Sequence, residues 1–551
     1  MTTEATATPP VDRTKSSPRR WRLLGRVRRE RLILVAIGAL AVVVRLPGLT
    51  TSGLWRDDAW TALGSRESLG TAVRMGSTAP GFTLLERLWI GFHPGSSLWA
   101  QMLPLGLGLL GVVATYAVLR FHGLRAATGL LGAFLVATSP VAVQYSTRVK
   151  EYSADLILAC LLLWLGERVR RSPSMRTTGG LAVASALAVL ISASTAPVIA
   201  GVWACVVLLG IRERTTIWSS AAAGGPLAVF LGGLYFFRLR HLPRVLHNFW
   251  AADGSFVDRS SVVGFWTSLG HIWGHLGVGL LAAIGHVDTL GAPIGPTGVV
   301  FVTTLALVAL MMVGLTAGAR GQAAALTILV AICASVAGAI PLGTGRTDEA
   351  IYPPILLLAG LGCEEILRPL RSRLGQRRSD GAHGAVPTGI TVALVAMSLL
   401  SVVVEPPSYP KINVRALAAY VAAHQKPADR MLVDPYDRYT WALYVERAAV
   451  VRFGSDWGAG FTVVTDSVDT FICPSEPWEV GFKPTAWASR MTGAGRVWYV
   501  GAGRLSTAED PIYRALLADG WHRQSIVDYT GGFVVLLTRN PTPVNVSTLE
   551  G

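Results

Sequence analysis

"LILVAIGALAVVVRLPGLTTSGLWRDDAW", residues 32–60, decides how the chain is read. Its first part is an apolar run as long as a bilayer-crossing helix, which needs roughly 20 mostly apolar residues. Just beyond the run stand two adjacent carboxylates, Asp57 and Asp58, set between Trp55 and Trp60. Before the run, residues 1–31 are rich in Pro, Thr and Arg and read as a disordered basic tail. Lys and Arg gather on the cytoplasmic side of membrane proteins, so the run carries the chain outward. The aspartates then surface on the far side. No small-residue cleavage site follows, so the helix reads as retained and not as a removed signal peptide.

The whole composition agrees. Of 551 residues, 51% are hydrophobic and only 15% charged, against roughly 25% charged in soluble chains. The net charge of +15 could serve nucleic acid or an anionic membrane surface. The basic residues fall in short tracts between apolar runs, at Arg19-Arg20, Arg28-Arg29, Arg168 to Arg171 and Arg371 to Arg378. That is the positive-inside pattern, and it argues against nucleic acid. Five cysteines without CxxC spacing indicate neither a disulfide framework nor a zinc site.

With Lys/Arg flanks as the guide, spans are expected at 32–50, 98–119, 126–144 and 153–167. Two more form a hairpin turning near Pro197 within 179–210, and others follow at 217–237, 297–318, 322–342, 353–367 and 388–404. Residues 51–97 read as the first external loop and 238–296 as a large external loop with an ambiguous apolar stretch at 262–285. With that stretch left open, the expected architecture is a polytopic α-helical membrane protein of about eleven spans. Its N-terminus is cytoplasmic, and a membrane module covers 32–404. After "EPPSYP" (405–410) no run is long enough to span, and residues 405–551 read as a small extracytoplasmic α/β domain. "DPIYRALLADG" reads as a bounded helix and "SIVDYTGGFVVLLTR" as a hairpin turning near Gly531-Gly532.

Ionisable residues beside spans are costly to bury and mark functional sites. Asp is a favoured N-cap, so Asp58 reads as the cap of a helix beginning at Ala59, which leaves Asp57 free. "YSTRVKEYSAD" (145–155) holds Arg148, Lys150, Tyr152 and Asp155, with Glu151 and Asp155 on one helical face. It reads either as an interfacial ion-pair cluster or as a phosphate site. "GTGRTDEAIY" (343–352) holds Arg346 and Tyr352, with glycines that let the backbone approach a ligand. His271 and His275, four apart, lack the HExxH pattern and a third ligand.

"GLWRDDAW" (53–60) resembles the first external loop of GT-C glycosyltransferases of the glycosyltransferase 39 type, which includes protein O-mannosyltransferases and the lipid A aminoarabinose transferase. "SPVAVQYSTRVKEYSADLIL" (139–158) and "GRTDEAIYPPILLLAGLG" (345–362) are similar to later stretches of that family. Met102 stands where many members carry Arg, and Gly81 where many carry a second Pro. The resemblance implies transfer of a sugar from a polyprenyl-phosphate donor to an extracytoplasmic acceptor hydroxyl on a glycan, lipid or protein, at the plasma membrane. It implies Asp57 as general base and Asp58 in support. Arg148, Lys150, Tyr152, Asp155, Arg346 and Tyr352 would form the donor and phosphate site. It leaves open a divalent ion, Mg or Mn, and implies no certain cofactor. The rival readings are a lipid-linked-glycan flippase and a non-catalytic envelope assembly protein. A transporter would carry repeat symmetry and mid-span charges, and neither is visible here.

Overall fold

The computed structural model describes residues 18–74, 78–212, 214–238, 254–281, 297–375, 411–445, 482–503 and 510–540, with shorter pieces between them. The first apolar run does form a helix, α1 (Pro18–Val43), but it starts within the basic stretch expected to be a tail. Arg is a good helix former, so the helix extends back from the apolar run. The first loop carries α2 (Arg56–Arg66), α3 (Leu69–Arg74) and α4 (Pro80–Ile90). The bundle continues with α5 (Ser97–Phe121), α6 (Ala126–Thr138), α7 (Pro140–Tyr145), α8 (Tyr152–Arg171) and α9 (Met175–Ile191). Then come α10 (Ala196–Arg212), α11 (Arg214–Phe237), α12 (Val262–Leu281), α13 (Thr297–Leu315), α14 (Gln322–Val336) and α15 (Tyr352–Gly375).

Among the described residues four helices are long and apolar enough to cross a membrane: Val27–Gly48, Ser97–Phe121, Ala193–Ile211 and Ile217–Phe237. Four more apolar helices are shorter. The chain is thus a multi-pass membrane protein. The span expected at 388–404 lies outside the described residues. The span expected at 126–144 is broken in two. Ser139 ends α6, and its hydroxyl accepts from the Ala142 amide to cap α7, with Pro140 at the first helical position. The ambiguous stretch at 262–285 contributes one helix, α12. Close packing rests on small residues: a Cβ at Gly362 of α15 would strike the Leu310 carbonyl of α13.

The C-terminal part holds α16 (Val414–His424), α17 (Arg438–Tyr444), α18 (Pro484–Ser489) and α19 (Pro511–Ala518). Its sheet comprises β1 (Arg430–Val433), β2 (Thr470–Ile472), β3 (Arg496–Ala502), β4 (His522–Tyr529), β5 (Gly532–Thr538) and β6 (Asn545–Thr548). The strand order is β6-β4-β5-β3-β1-β2, with β5 antiparallel to both neighbours and the other pairs parallel. Side chains alternate across the sheet. Val497 and Tyr499 join the core under α18 and α19. Trp498 and Val500 join a core that also takes in Tyr439 and Trp441 of α17 and, from the first loop, Leu54, Ala59 and Trp60. One apolar cluster therefore ties the C-terminal domain to the helix that carries the two aspartates.

Candidate active site

Helix α2 begins one turn earlier than the cap reading expects. Trp55 is extended (φ −62°, ψ 156°) and occupies the cap position without a side-chain cap bond, so Asp57 and Asp58 both lie inside the first turn. Carboxylates there complement the helix dipole. Asp58 does not cap. It is buried, its Oδ2 accepts from Arg148 Nε at 2.7 Å, and its Oδ1 accepts from the Val149 amide at 2.9 Å. The turn at 146–151 supplies a guanidinium and a free amide together, which outcompete the helix's own amides.

Asp57 is the exposed member, with its side chain 17% accessible. Its oxygens lie 3.6 Å from Arg56 Nε, 4.0 Å from Arg148 Nη2 and 3.8 Å from Arg346 Nη1. Burial opposes its ionisation, but Arg56, Arg346, Lys150 and Arg148 overcome that and hold the carboxyl well below the usual carboxylate range. Lys150 is buried, which pushes its pKa down against the pull of Asp57 and Glu151. Its Nζ lies 5.2 Å from the centre of the Trp60 ring, which stacks on Tyr439 at 5.3 Å. The ammonium is thus held over an aromatic face.

Two buried frames position these groups. Arg45, fully buried at the end of α1, donates to the Ala41 and Ala137 carbonyls and to Ser146 Oγ, 2.8–3.0 Å away. Gln101 of α5 donates to the carbonyls of Gly48 and Thr147 and accepts from the Thr50 amide. Together they fix the start of the Arg148–Lys150 turn against α1 and α5. The Arg346 loop has its own clamp: the Asp348 carboxylate accepts from the amides of Gly343 (3.0 Å) and Gly345 (2.8 Å). Both glycines have φ +73°, a region that disfavours any side chain. Burial pushes Asp348 up to about 6 despite those two amides. His275 Nδ1 reaches the Gly343 carbonyl at 2.8 Å and ties α12 to the same loop.

Of the residues singled out from sequence, Asp57, Asp58, Arg148, Lys150 and Arg346 come together here. Tyr152 packs edge-on against Tyr145 at 5.1 Å. Asp155 and Tyr352 are buried, and both lie within electrostatic reach of Glu349. Sequence reasoning gave no role to Arg45, Gln101 or Arg56. A charge inside the first apolar run was the available signal for Arg45, and a third charge adjoining the aspartate pair was the signal for Arg56.

Asp57 and Asp58 do not offer a ready pair of carboxylate ligands to a divalent ion: both oxygens of Asp58 already accept hydrogen bonds, and Asp57 faces three guanidinium groups. Among the described residues no three His, Cys, Asp or Glu side chains converge on a metal position, and His271 and His275 stand as a pair with ring centres 4.0 Å apart.

No family model and no curated protein matches the chain. Solved structures similar to it include ArnT from Cupriavidus metallidurans in the apo state, at 13% identity and TM-score 0.49, covering 91% of this chain and 97% of that one. The same protein bound to undecaprenyl phosphate is similar at 15% identity and TM-score 0.47, over 91% and 97%. The Archaeoglobus fulgidus oligosaccharyltransferase in the apo form is similar at 13% identity and TM-score 0.49, covering 92% of this chain and 74% of that chain.

Proposed function

We propose that the protein transfers a sugar from a polyprenyl-phosphate donor to an acceptor hydroxyl at the outer face of the membrane. The observation that carries this reading is the charge balance around Asp57. Four cations, Arg56, Arg148, Lys150 and Arg346, bear on it, while Asp58 is spent on Arg148 and Val149. Lys150 also faces Glu151 and Arg56 also faces Asp437, yet all four cations converge on the Asp57 carboxylate, and a lipid phosphate suits that cationic cluster. Arg suits a phosphate through its planar fork of donors, and Lys suits it as a point charge.

The chemistry follows from that placement. The acceptor oxygen attacks the anomeric carbon, and its proton passes to a carboxylate oxygen of Asp57. The new carbon–oxygen bond forms as the bond to the phosphate oxygen breaks, and that bond's electron pair leaves on the phosphate. Arg148, Arg346 and Lys150 stabilise the growing negative charge. A single displacement of this kind inverts the anomeric centre. The same cations that hold Asp57 acidic would turn to the donor phosphate when it binds. Asp57 then regains basicity only when the donor is in place, which protects the donor from idle proton chemistry.

The test is transfer of labelled sugar by purified protein in lipid nanodiscs. Undecaprenyl-phosphate-linked mannose, arabinofuranose and aminoarabinose serve as donors. Transfer that Asp57→Asn abolishes supports the reading. Full activity in a folded Asp57→Asn protein rejects the base assignment. Facilitated movement of the lipid across the bilayer without transfer supports the flippase alternative instead.

A further inference from the structure

Asp437, at the start of α17 in the C-terminal domain, is fully buried, and neither of its carboxylate oxygens makes a hydrogen bond. Leaving a buried carboxyl unsatisfied is costly, and folded proteins keep such groups rarely. The charge that relieves it is Arg56 of α2. Arg56 is shared: its Nε lies 3.6 Å from Asp57 Oδ1, and its guanidinium lies 4.8 Å from the centre of the Tyr436 ring. One cation from the first loop therefore sits among an aromatic ring and a carboxyl of the C-terminal domain and the carboxylate read above as the base.

We propose that Asp437 is a positioning residue for the transfer site. Its charge bears on Arg56 and so sets how strongly that guanidinium bears on Asp57. The inference rests on the reading of Asp57 as base. When Asp437 is neutral, Arg56 leans on Asp57 and weakens it as a base. When Asp437 ionises, it draws Arg56 toward itself and Asp57 strengthens. Burial, with Arg56 opposing, pushes Asp437 up to about 7, so the change falls near neutral pH.

Its other charged surroundings among the described residues are as follows. Asp434, at the end of β1, lies close enough to feel its charge. On α17 itself Arg438 is engaged with Tyr439, whose hydroxyl accepts at 2.7 Å. On α16, Arg415 lies over the Tyr444 ring and donates to the Gly95 carbonyl. On α2, Arg66 donates to the Leu443 carbonyl at the far end of α17. The strand 462–464, packed nearby, brings no titratable group.

The experiment compares wild type with Asp437→Asn and Asp437→Glu in donor-saturated transfer, across pH values on both sides of about 7. The wild-type kcat rises through neutral pH. Asp437→Asn loses that rise and falls roughly tenfold on its alkaline side, within the span usual for a tuned base, while KM for the donor holds. Asp437→Glu keeps a rise. A wild-type profile in Asp437→Asn overturns the proposal. A second readout needs no transfer: the infrared carbonyl band of the protonated Asp437 carboxyl, titrated in wild type and Arg56→Gln. Loss of the Arg56 charge moves that titration to higher pH. An unmoved titration overturns the electrostatic coupling of Asp437 to Arg56, even if Asp437→Asn does not fold. Failure of wild-type protein to transfer any sugar counts against the base reading, and the infrared result still decides the coupling of Asp437 to Arg56.

Discussion

Asp57 and Asp58 are neighbours in sequence with different surroundings, and the difference comes from what each meets across the fold. Asp58 is consumed by Arg148 and the Val149 amide in a buried site. Removing one partner of a buried ion pair strands the other charge at a cost of about 3–5 kcal/mol. Asp58→Ala is therefore expected to lower the thermal unfolding midpoint clearly and to cut undecaprenyl phosphate binding, since Arg148 loses its anchor. Asp57→Asn removes a negative charge from a cationic shell without breaking a hydrogen bond of that kind. Its undecaprenyl phosphate affinity should equal or exceed the wild type, while transfer falls by roughly 10²–10⁴-fold, the usual contribution of a general base. Tight binding with lost turnover is the signature that separates the two positions. The motif made the pair visible in sequence. It did not show which aspartate was free for the right reason, because the Arg148 contact spans residues 90 apart. In the structure Asp58 anchors a cation and does not cap the helix.

Local geometry carries the site at the scale of elements. The Arg346 loop holds its shape because Asp348 collects two amides and two glycines accept positive φ. Asp348→Ala frees both amides, at about 1–3 kcal/mol for the loop, and should weaken undecaprenyl phosphate binding more than it shifts global unfolding. Gly345→Ala tests the same loop by backbone strain and should act in the same direction. The Asp348 group also gives a sign for pH. Its folded pKa is raised to about 6. The protonated form is the one the fold favours, so its contribution to stability is present below the unfolded value and is lost as pH rises through about 6. Much of this level was legible in the chain. The apolar runs, the turn near Pro197, the Asp-Pro start of α19 and the Gly531-Gly532 hairpin each follow from local propensity. The Ser139–Pro140 break was not, because Ser-Pro reads equally as the end of a span. Nor were the partners of Arg45, one of which is the Ala137 carbonyl in the last turn of α6 just before that break.

At the scale of the whole molecule, the membrane helices and the C-terminal domain share one apolar cluster through Trp60, Tyr439 and Trp441. The domain reads as a wall of the site and not as an appendage. Cutting the chain before the domain should expose Leu54, Trp60 and Leu63 and yield protein that aggregates in detergent, checked by size-exclusion chromatography. The sidedness proposed from the basic tracts has its own test. Val468, 82% exposed in the C-terminal domain, and Met175, 55% exposed beside the Arg168 to Arg171 tract, can each be replaced by cysteine. A membrane-impermeant thiol reagent on intact cells should label Val468→Cys and leave Met175→Cys untouched, whereas the reverse pattern inverts the topology. The account stands most directly on one measurement: single-turnover transfer of labelled sugar from undecaprenyl-phosphate donors by wild-type and Asp57→Asn protein, with undecaprenyl phosphate affinity read in the same preparations. It predicts transfer by the wild type, and for Asp57→Asn transfer lost with lipid phosphate binding retained or tightened. Equal transfer by the two proteins would contradict it.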